Sequence, residues 1–374
     1  MMRGSGTPGR LFRTAKKALP GCEGFRQRPF CKERLKKMEN IKFLPELMLF
    51  RDGRAVTADN WEERRREILG ILSDNIYGRT PAAPGKVVGT VTGTDKKCCA
   101  GHAVLENIGI SFDTPNGEFT FPMHLFMPVK PGKKPVFVML NFRPDTYDRY
   151  YPAEEIVDRG YALAVIHYKD VTSDDGDFSD GLAGMYPRTG EKNEWGKIGM
   201  WAFAASRALD YLLTRDDIDP ERIAVCGHSR LGKTALWAGA QDGRFALACS
   251  NDSGCAGAAY ERIKHEGSET LRVITDRFPF WFCPAYREYA GRADEMPFDQ
   301  HWLIAACCPR LVCVNSASLD KWADQESERL SCVGASPAWE LFGAAAPQWR
   351  MRDGTHFFSR ADWNIYMDFF DAKA

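Results

Sequence analysis

Hydrophobic positions along this chain follow two rhythms, and the change falls near residue 135. Beyond it, continuous apolar runs at 136–140, 161–166, 223–226, 245–250 and 311–315 predict short strands buried on both faces. Helices are predicted between and after them, at 154–159, 201–214, from the turn at Ser229 to Ala240, at 298–306 and at 360–370. This β-α alternation predicts a mostly parallel, doubly wound sheet with right-handed crossovers. Before residue 135 the pattern differs. Ile68, Leu72 and Ile76 repeat every four residues, with Arg64, Arg65, Arg66 and Glu67 among the polar positions. They predict an amphipathic helix from Trp61, capped by Asp59 or Asn60 and ended at Tyr77-Gly78 ahead of Pro81 and Pro84. Strand-like runs at 87–92, 103–112 and 118–127, with a turn at Pro115-Asn116-Gly117, predict an antiparallel region leading into the core.

One stretch breaks the alternation. Residues 169–200 are polar and Gly-rich, with Asp174, Asp175, Asp177 and Asp180 close together. A loop of this length inside a domain is usually functional or mobile. Its acidic residues suggest calcium by type, but they lack EF-hand spacing, so no metal is expected there.

At 374 residues the chain suits one α/β domain with insertions better than two independent domains. Net charge is zero, yet residues 1–40 carry eleven Lys/Arg against three Glu, which leaves the remainder acidic. An acidic body argues against nucleic-acid binding. The basic segment 1–40 is expected to be a disordered extension, with Met38 as an alternative start, and 41–374 the domain. Twelve cysteines show neither Cys-x-x-Cys nor a disulfide-like arrangement. They read as buried apolar residues in a reducing compartment, and no zinc site is expected. No stretch reaches the 18 apolar residues that a membrane span takes, and no apolar segment follows the basic start. By sequence the protein is expected to be cytoplasmic, or exported if its true N-terminus differs.

The chemistry concentrates at Ile223-Ala-Val-Cys-Gly-His-Ser-Arg-Leu-Gly-Lys233. A buried strand, a turn between Gly227 and Gly232, and a helix would lift Ser229 to a helix N-terminus. This is a nucleophile elbow with the second glycine one residue late. A serine nucleophile takes a base and an acid behind it. His356, in Asp353-Gly-Thr-His356, follows Ser229 by 127 residues and precedes the final helix, where α/β-hydrolases carry their base. His228 is expected to shape the elbow, and His167 and His301 to sit in core or supporting positions. Two carboxylates qualify as the acid, Asp320 after the 311–315 run and Asp252 after the 245–250 run, each with turn capping as the rival role.

These motifs together resemble the bacterial branch of the glucuronoyl esterases, carbohydrate esterase family 15, of the α/β-hydrolase fold. The matching residues are 227–240, Ser250-Asn-Asp-Ser-Gly-Cys-Ala-Gly-Ala-Ala259, Phe278-Pro-Phe-Trp-Phe-Cys283, Pro297-Phe-Asp-Gln-His301, Leu319-Asp-Lys-Trp-Ala-Asp324 and Asp353-Gly-Thr-His356. The resemblance covers roughly residue 43 onward, and it implies a serine esterase that cleaves 4-O-methyl-glucuronoyl esters of glucuronoxylan. Acetyl-xylan esterase, or another carboxylesterase, and a non-catalytic carbohydrate-binding relative are the alternatives. It also implies Arg230 at the oxyanion, Lys233 and Glu269 on uronate hydroxyls and Trp322 against the sugar, with a core tryptophan as the rival for Trp322. A uronate ester is then the one partner, a monomer is expected, and no cofactor or metal is needed. Many members carry Glu where this chain has Asp252, and some bacterial members use the Asp320 position, so both acids stay open.

Overall fold

The computed structural model describes residues 44–373, and Pro45–Ala374 makes one compact unit. The expected extension 1–40 lies outside the described residues. Nine strands form one sheet: β1 Val87–Asp95, β2 Ala103–Thr114, β3 Gly117–Pro128, β4 Lys134–Asn141, β5 Ala162–His167, β6 Ile218–His228, β7 Leu247–Asn251, β8 Leu311–Ala317 and β9 Gln348–Arg352. Their order is β1-β2-β3-β5-β4-β6-β7-β8-β9. Pairing is antiparallel from β1 to β5 and parallel from β5 through β4 to β9. The switch sits where the hydrophobic rhythm changes. β2 and β3 alternate buried and less buried positions, whereas β7 is buried throughout.

Helices cover both faces. On one lie α1 Trp61–Leu72, α3 Lys197–Leu212, α4 Arg230–Gln241 and α6 Gln300–Ala305, packed in the larger core. On the other, α2 Ala153–Asp158 and α8 Arg360–Asp371 bury Ile156, Val157, Trp363, Tyr366, Met367 and Phe370. Two further helices, α5 Leu271–Arg277 and α7 Gln325–Ala335, lie in the stretches after β7 and β8.

Four local expectations need correction. β9 is a strand that no apolar run announced, because Gln-Trp-Arg-Met-Arg is an edge strand with no fully buried residue. α3 starts at Lys197, not Trp201, and helical turns at Tyr168–Val171 and Gly181–Gly184 punctuate the 169–200 stretch. Arg64 is fully buried, not a solvated polar position: its guanidinium donates to the Leu47 and Glu46 carbonyls. Asn60 occupies the N-cap of α1, but its carboxamide accepts from Thr57 N–H at 2.7 Å and makes no capping bond.

Candidate active site

The carboxyl ends of four neighbouring strands converge at one edge of the sheet, where open α/β folds place their chemistry. β6 leads into Ser229, β7 into Asp252, β8 toward Asp320 and β9 toward His356.

At the end of β6 the chain turns so sharply that Ser229 sits at φ 57°, ψ −125°, a conformation costing a non-glycine residue about 1–3 kcal/mol. The neighbours force it. A Cβ on Gly227 would lie 2.2 Å from the Leu231 carbonyl oxygen, and one on Gly232 would lie 3.0 Å from that of Asn251. The Ser229 N–H donates to Asn251 O at 2.8 Å, which ties the elbow to β7. α4 begins at the next residue; the Gly232 and Lys233 N–H groups donate to Ser229 O at 2.9 and 3.1 Å, which leaves those of Arg230 and Leu231 as the donors at its N-terminus.

His356 stands in the loop after β9. Arg352 holds that loop by donating to the carbonyls of Asp353, Thr355 and Phe357, and to the Asp362 carboxylate at 2.6 Å. The Nδ1 atom of His356 lies 2.5 Å from Asp320 Oδ2, and the imidazole is 41% exposed against 4% for the carboxylate side chain. Asp320 also accepts from Ala323 N–H at 3.4 Å, so the turn-capping role and the contact to His356 coexist.

Asp252 comes close without making that contact. One ligand atom each from Asp252, Asp320 and His356 lie within 4.8 Å of one another. Yet Asp252 Oδ1 accepts from Ala317 N–H at 2.7 Å, and Oδ2 is buried without a hydrogen bond. Burial pushes this carboxyl up to about 9, and the charges of Glu328 and Asp320 add to the shift. Behind the base, the His228 ring centroid is 4.3 Å from that of His356. Its Nδ1 pairs with Asn251 at 2.6 Å, and burial, with the neighbouring His356, holds its pKa well below the usual range. His228 therefore packs against the base as well as shaping the elbow.

Ser229, Arg230, Lys233, Asp252, Glu269, Trp322 and His356 line one pocket of about 230 Å³, together with Phe278 and Trp281. Lys233 is buried and donates to the Ser253 carbonyl. Burial lowers its pKa, opposed first by Glu269. Glu269 moves the other way, raised by burial and opposed by Lys233. The Trp322 carbonyl accepts from Glu269 N–H at 3.0 Å, and the residue is 44% exposed. A core role for Trp322 is thereby excluded.

Three partners of Arg230 carried no expected role. Asp174 Oδ2 pairs with Arg230 Nη1, while its Oδ1 accepts from Trp281 Nε1 at 2.7 Å. The Trp281 ring lies 4.5 Å below the guanidinium and stacks on Phe278 at 3.9 Å. The aromatic run 278–282 and the acidic cluster at 174–180 were visible signals, but nothing in the sequence joined them to Arg230. A larger cavity of about 650 Å³, bordered by Arg79, Tyr186 and Arg188, contains none of these groups.

A serine at a helix N-terminus, an imidazole backed by a carboxylate and a fixed guanidinium beside them suit acyl transfer through a tetrahedral oxyanion.

Comparison with known proteins points the same way. Residues 110–343 match the family model described as glucuronyl esterase, fungi. A carbohydrate esterase, MZ0003, from an unknown prokaryotic organism is 33% identical over 88% of this chain and 89% of its own. The 4-O-methyl-glucuronoyl methylesterase of Podospora anserina is 29% identical over 79% of this chain and 59% of its own. The solved structure of a glucuronoyl esterase from Solibacter usitatus superposes with a TM-score of 0.80 at 31% identity, covering 88% of this chain and 97% of that one.

Proposed function

The chain belongs to the glucuronoyl esterase family, carbohydrate esterase family 15, and from that premise we propose that it hydrolyses 4-O-methyl-glucuronoyl esters with Ser229 as nucleophile. The observation that carries the proposal is the shared pocket, in which Ser229, His356 and Arg230 meet Lys233, Glu269 and Trp322.

In the proposed reaction Ser229 Oγ attacks the ester carbonyl at C6 of the uronate, and His356 takes the serine proton. Asp320 orients the imidazole through Nδ1 and stabilises its charged form. Negative charge gathers on the former carbonyl oxygen, beside the Arg230 guanidinium and the first N–H groups of α4. Such donors lower a barrier by about 2.7–4 kcal/mol each. The tetrahedral intermediate collapses, the alcohol leaves with the proton from His356, and an acyl-serine remains. Water, deprotonated by His356, attacks that acyl group, and the serine leaves with the proton, releasing free glucuronate. Lys233 and Glu269 offer a donor and an acceptor for ring hydroxyls, and exposed Trp322 offers an aromatic face to the sugar.

The test is turnover of methyl or benzyl glucuronate beside an acetylated xylose. Glucuronate hydrolysis lost by more than about 10³-fold in Ser229→Ala supports the reading. Turnover that survives the substitution, or that follows the acetyl group instead, rejects it.

A further inference from the structure

Lys197 is out of place by its local sequence. It is the first residue of α3, at the positive end of the helix dipole, with no acidic residue in that first turn. It is also fully buried. Burying an ammonium is costly unless it is paired and hydrogen-bonded.

Its surroundings answer that cost. The ammonium donates to Thr172 Oγ1 at 2.8 Å, Ser173 Oγ at 3.2 Å and the Asp177 carbonyl at 2.5 Å, with Asp180 Oδ1 at 3.4 Å. Phe178 adds its ring face at 4.8 Å. Asp180 in turn accepts from Thr172 Oγ1 and Ser173 N–H, both at 3.1 Å. Gly181 closes the loop at φ 48°, where a Cβ would stand 2.4 Å from Val171 O. The acidic loop that suggested calcium by composition thus wraps a cation that the chain itself supplies.

The same loop carries Asp174, whose carboxylate pairs with Arg230 and accepts from Trp281 Nε1 and, at 2.9 Å, from Tyr168 OH. The start of α3 meets Trp281 directly: a Cβ on Gly196 would lie 2.3 Å from the Trp281 carbonyl. Helix start, loop, Asp174 and Trp281 therefore form a closed circuit around Arg230.

We propose that Lys197 is a positioning residue for the esterase reaction: its ammonium fixes the 172–180 loop so that Asp174 holds the Arg230 guanidinium beside Ser229. The proposal rests on the reading of Arg230 as oxyanion donor. Arg230 does the chemistry, and Lys197 acts on it only through Asp174.

The experiment is a double-mutant cycle on the full chain, with methyl glucuronate as substrate and circular dichroism as the check on folding. Lys197→Met keeps an unbranched apolar stem, one atom shorter, and removes the charge. It is expected to lower kcat about tenfold with KM within about twofold, since an oxyanion contact acts on the transition state alone. Asp174→Asn is expected to do the same, and the double variant to be no slower than the slower single. A folded Lys197→Met with unchanged kcat overturns the proposal, as do losses that multiply in the double variant. If Lys197→Met does not fold, Thr172→Val replaces it. A kcat loss of about threefold that vanishes in the Asp174→Asn background supports the proposal, and an unchanged kcat or a loss that persists in that background overturns it. An inactive wild-type chain, or an active Ser229→Ala, removes the functional reading and this proposal with it.

Discussion

At His356 Nδ1 the Asp320 carboxylate is in hydrogen-bonding contact, whereas Asp252 lies beside the pair with an unbonded oxygen. We therefore propose Asp320 as the acid, and Asp320→Asn is expected to lower kcat by about 10³–10⁴-fold, the scale seen when a carboxylate behind a catalytic histidine is lost. Asp252→Asn is expected to change kcat less than tenfold, because Asn keeps the acceptor for Ala317 N–H. Equal losses in the two variants would defeat this assignment. The Asp252 carboxyl also ties stability to pH. Its folded value near 9 lies above the ordinary carboxylate value of 3.8, so between those limits the folded chain binds a proton that the unfolded chain releases. This group therefore stabilises fully below about pH 4 and progressively less as pH rises toward 9, with a slope of at most about 1.4 kcal/mol per pH unit. Urea titrations from pH 5 to 8 should show wild type losing stability with pH faster than Asp252→Asn; parallel curves would refute the shift. Sequence spacing singled out Ser229 and His356 because an elbow and a loop before a last helix are local signals. It could not choose between Asp252 and Asp320, 68 residues apart, since the choice is made by burial and by which oxygen faces the ring.

At the scale of one strand-turn-helix unit, the elbow stores strain for position. Ser229 is held at φ 57° by close packing of Gly227 and Gly232, so the strain belongs to the backbone and not to the hydroxyl. Ser229→Gly and Ser229→Ala should both abolish turnover, yet Gly should be more stable than Ala by about 1 kcal/mol, because glycine reaches this region freely. Denaturant midpoints decide it, and a Gly variant no more stable than Ala would show an unstrained turn. Gly227→Ala should prevent folding, since its Cβ would enter backbone at 2.2 Å, while Gly243→Ala, with open space around it, should be tolerated. The strand and helix of this unit were legible because a buried parallel strand is an unbroken apolar run. β9 was not, because an edge strand shows half its surface to solvent and keeps no such run. The start of α3 was missed for a related reason. Lys197 reads as a solvated residue, and only the oxygens of the 172–180 loop make its burial tolerable.

Over the whole molecule, the division into an antiparallel lead-in and a parallel body could be read from the rhythm of apolar positions, because each type of sheet buries its faces differently. What could not be read is how the four strand ends, spread from residue 228 to 352, come to stand side by side. That follows from strand order, which periodicity does not encode. The cysteines make a molecule-wide test of the reading as a reduced, closely packed body. Of the twelve in the chain, ten fall among the described residues, and all ten are free and buried. Burial raises the pKa of those on the central strands, Cys226, Cys249 and Cys313, which leaves little thiolate to react. Labelling them takes opening of the sheet itself, the slowest event in such a fold. An aromatic disulfide reagent should titrate at most two thiols rapidly in the folded protein and all twelve in denaturant, with peptide mapping leaving positions 98 to 332 unlabelled until unfolding. Rapid native labelling at Cys226, Cys249 or Cys313 would mean that the strands delivering Ser229, Asp252 and Asp320 open readily, and the fixed geometry on which the proposed acyl transfer depends would then be lost.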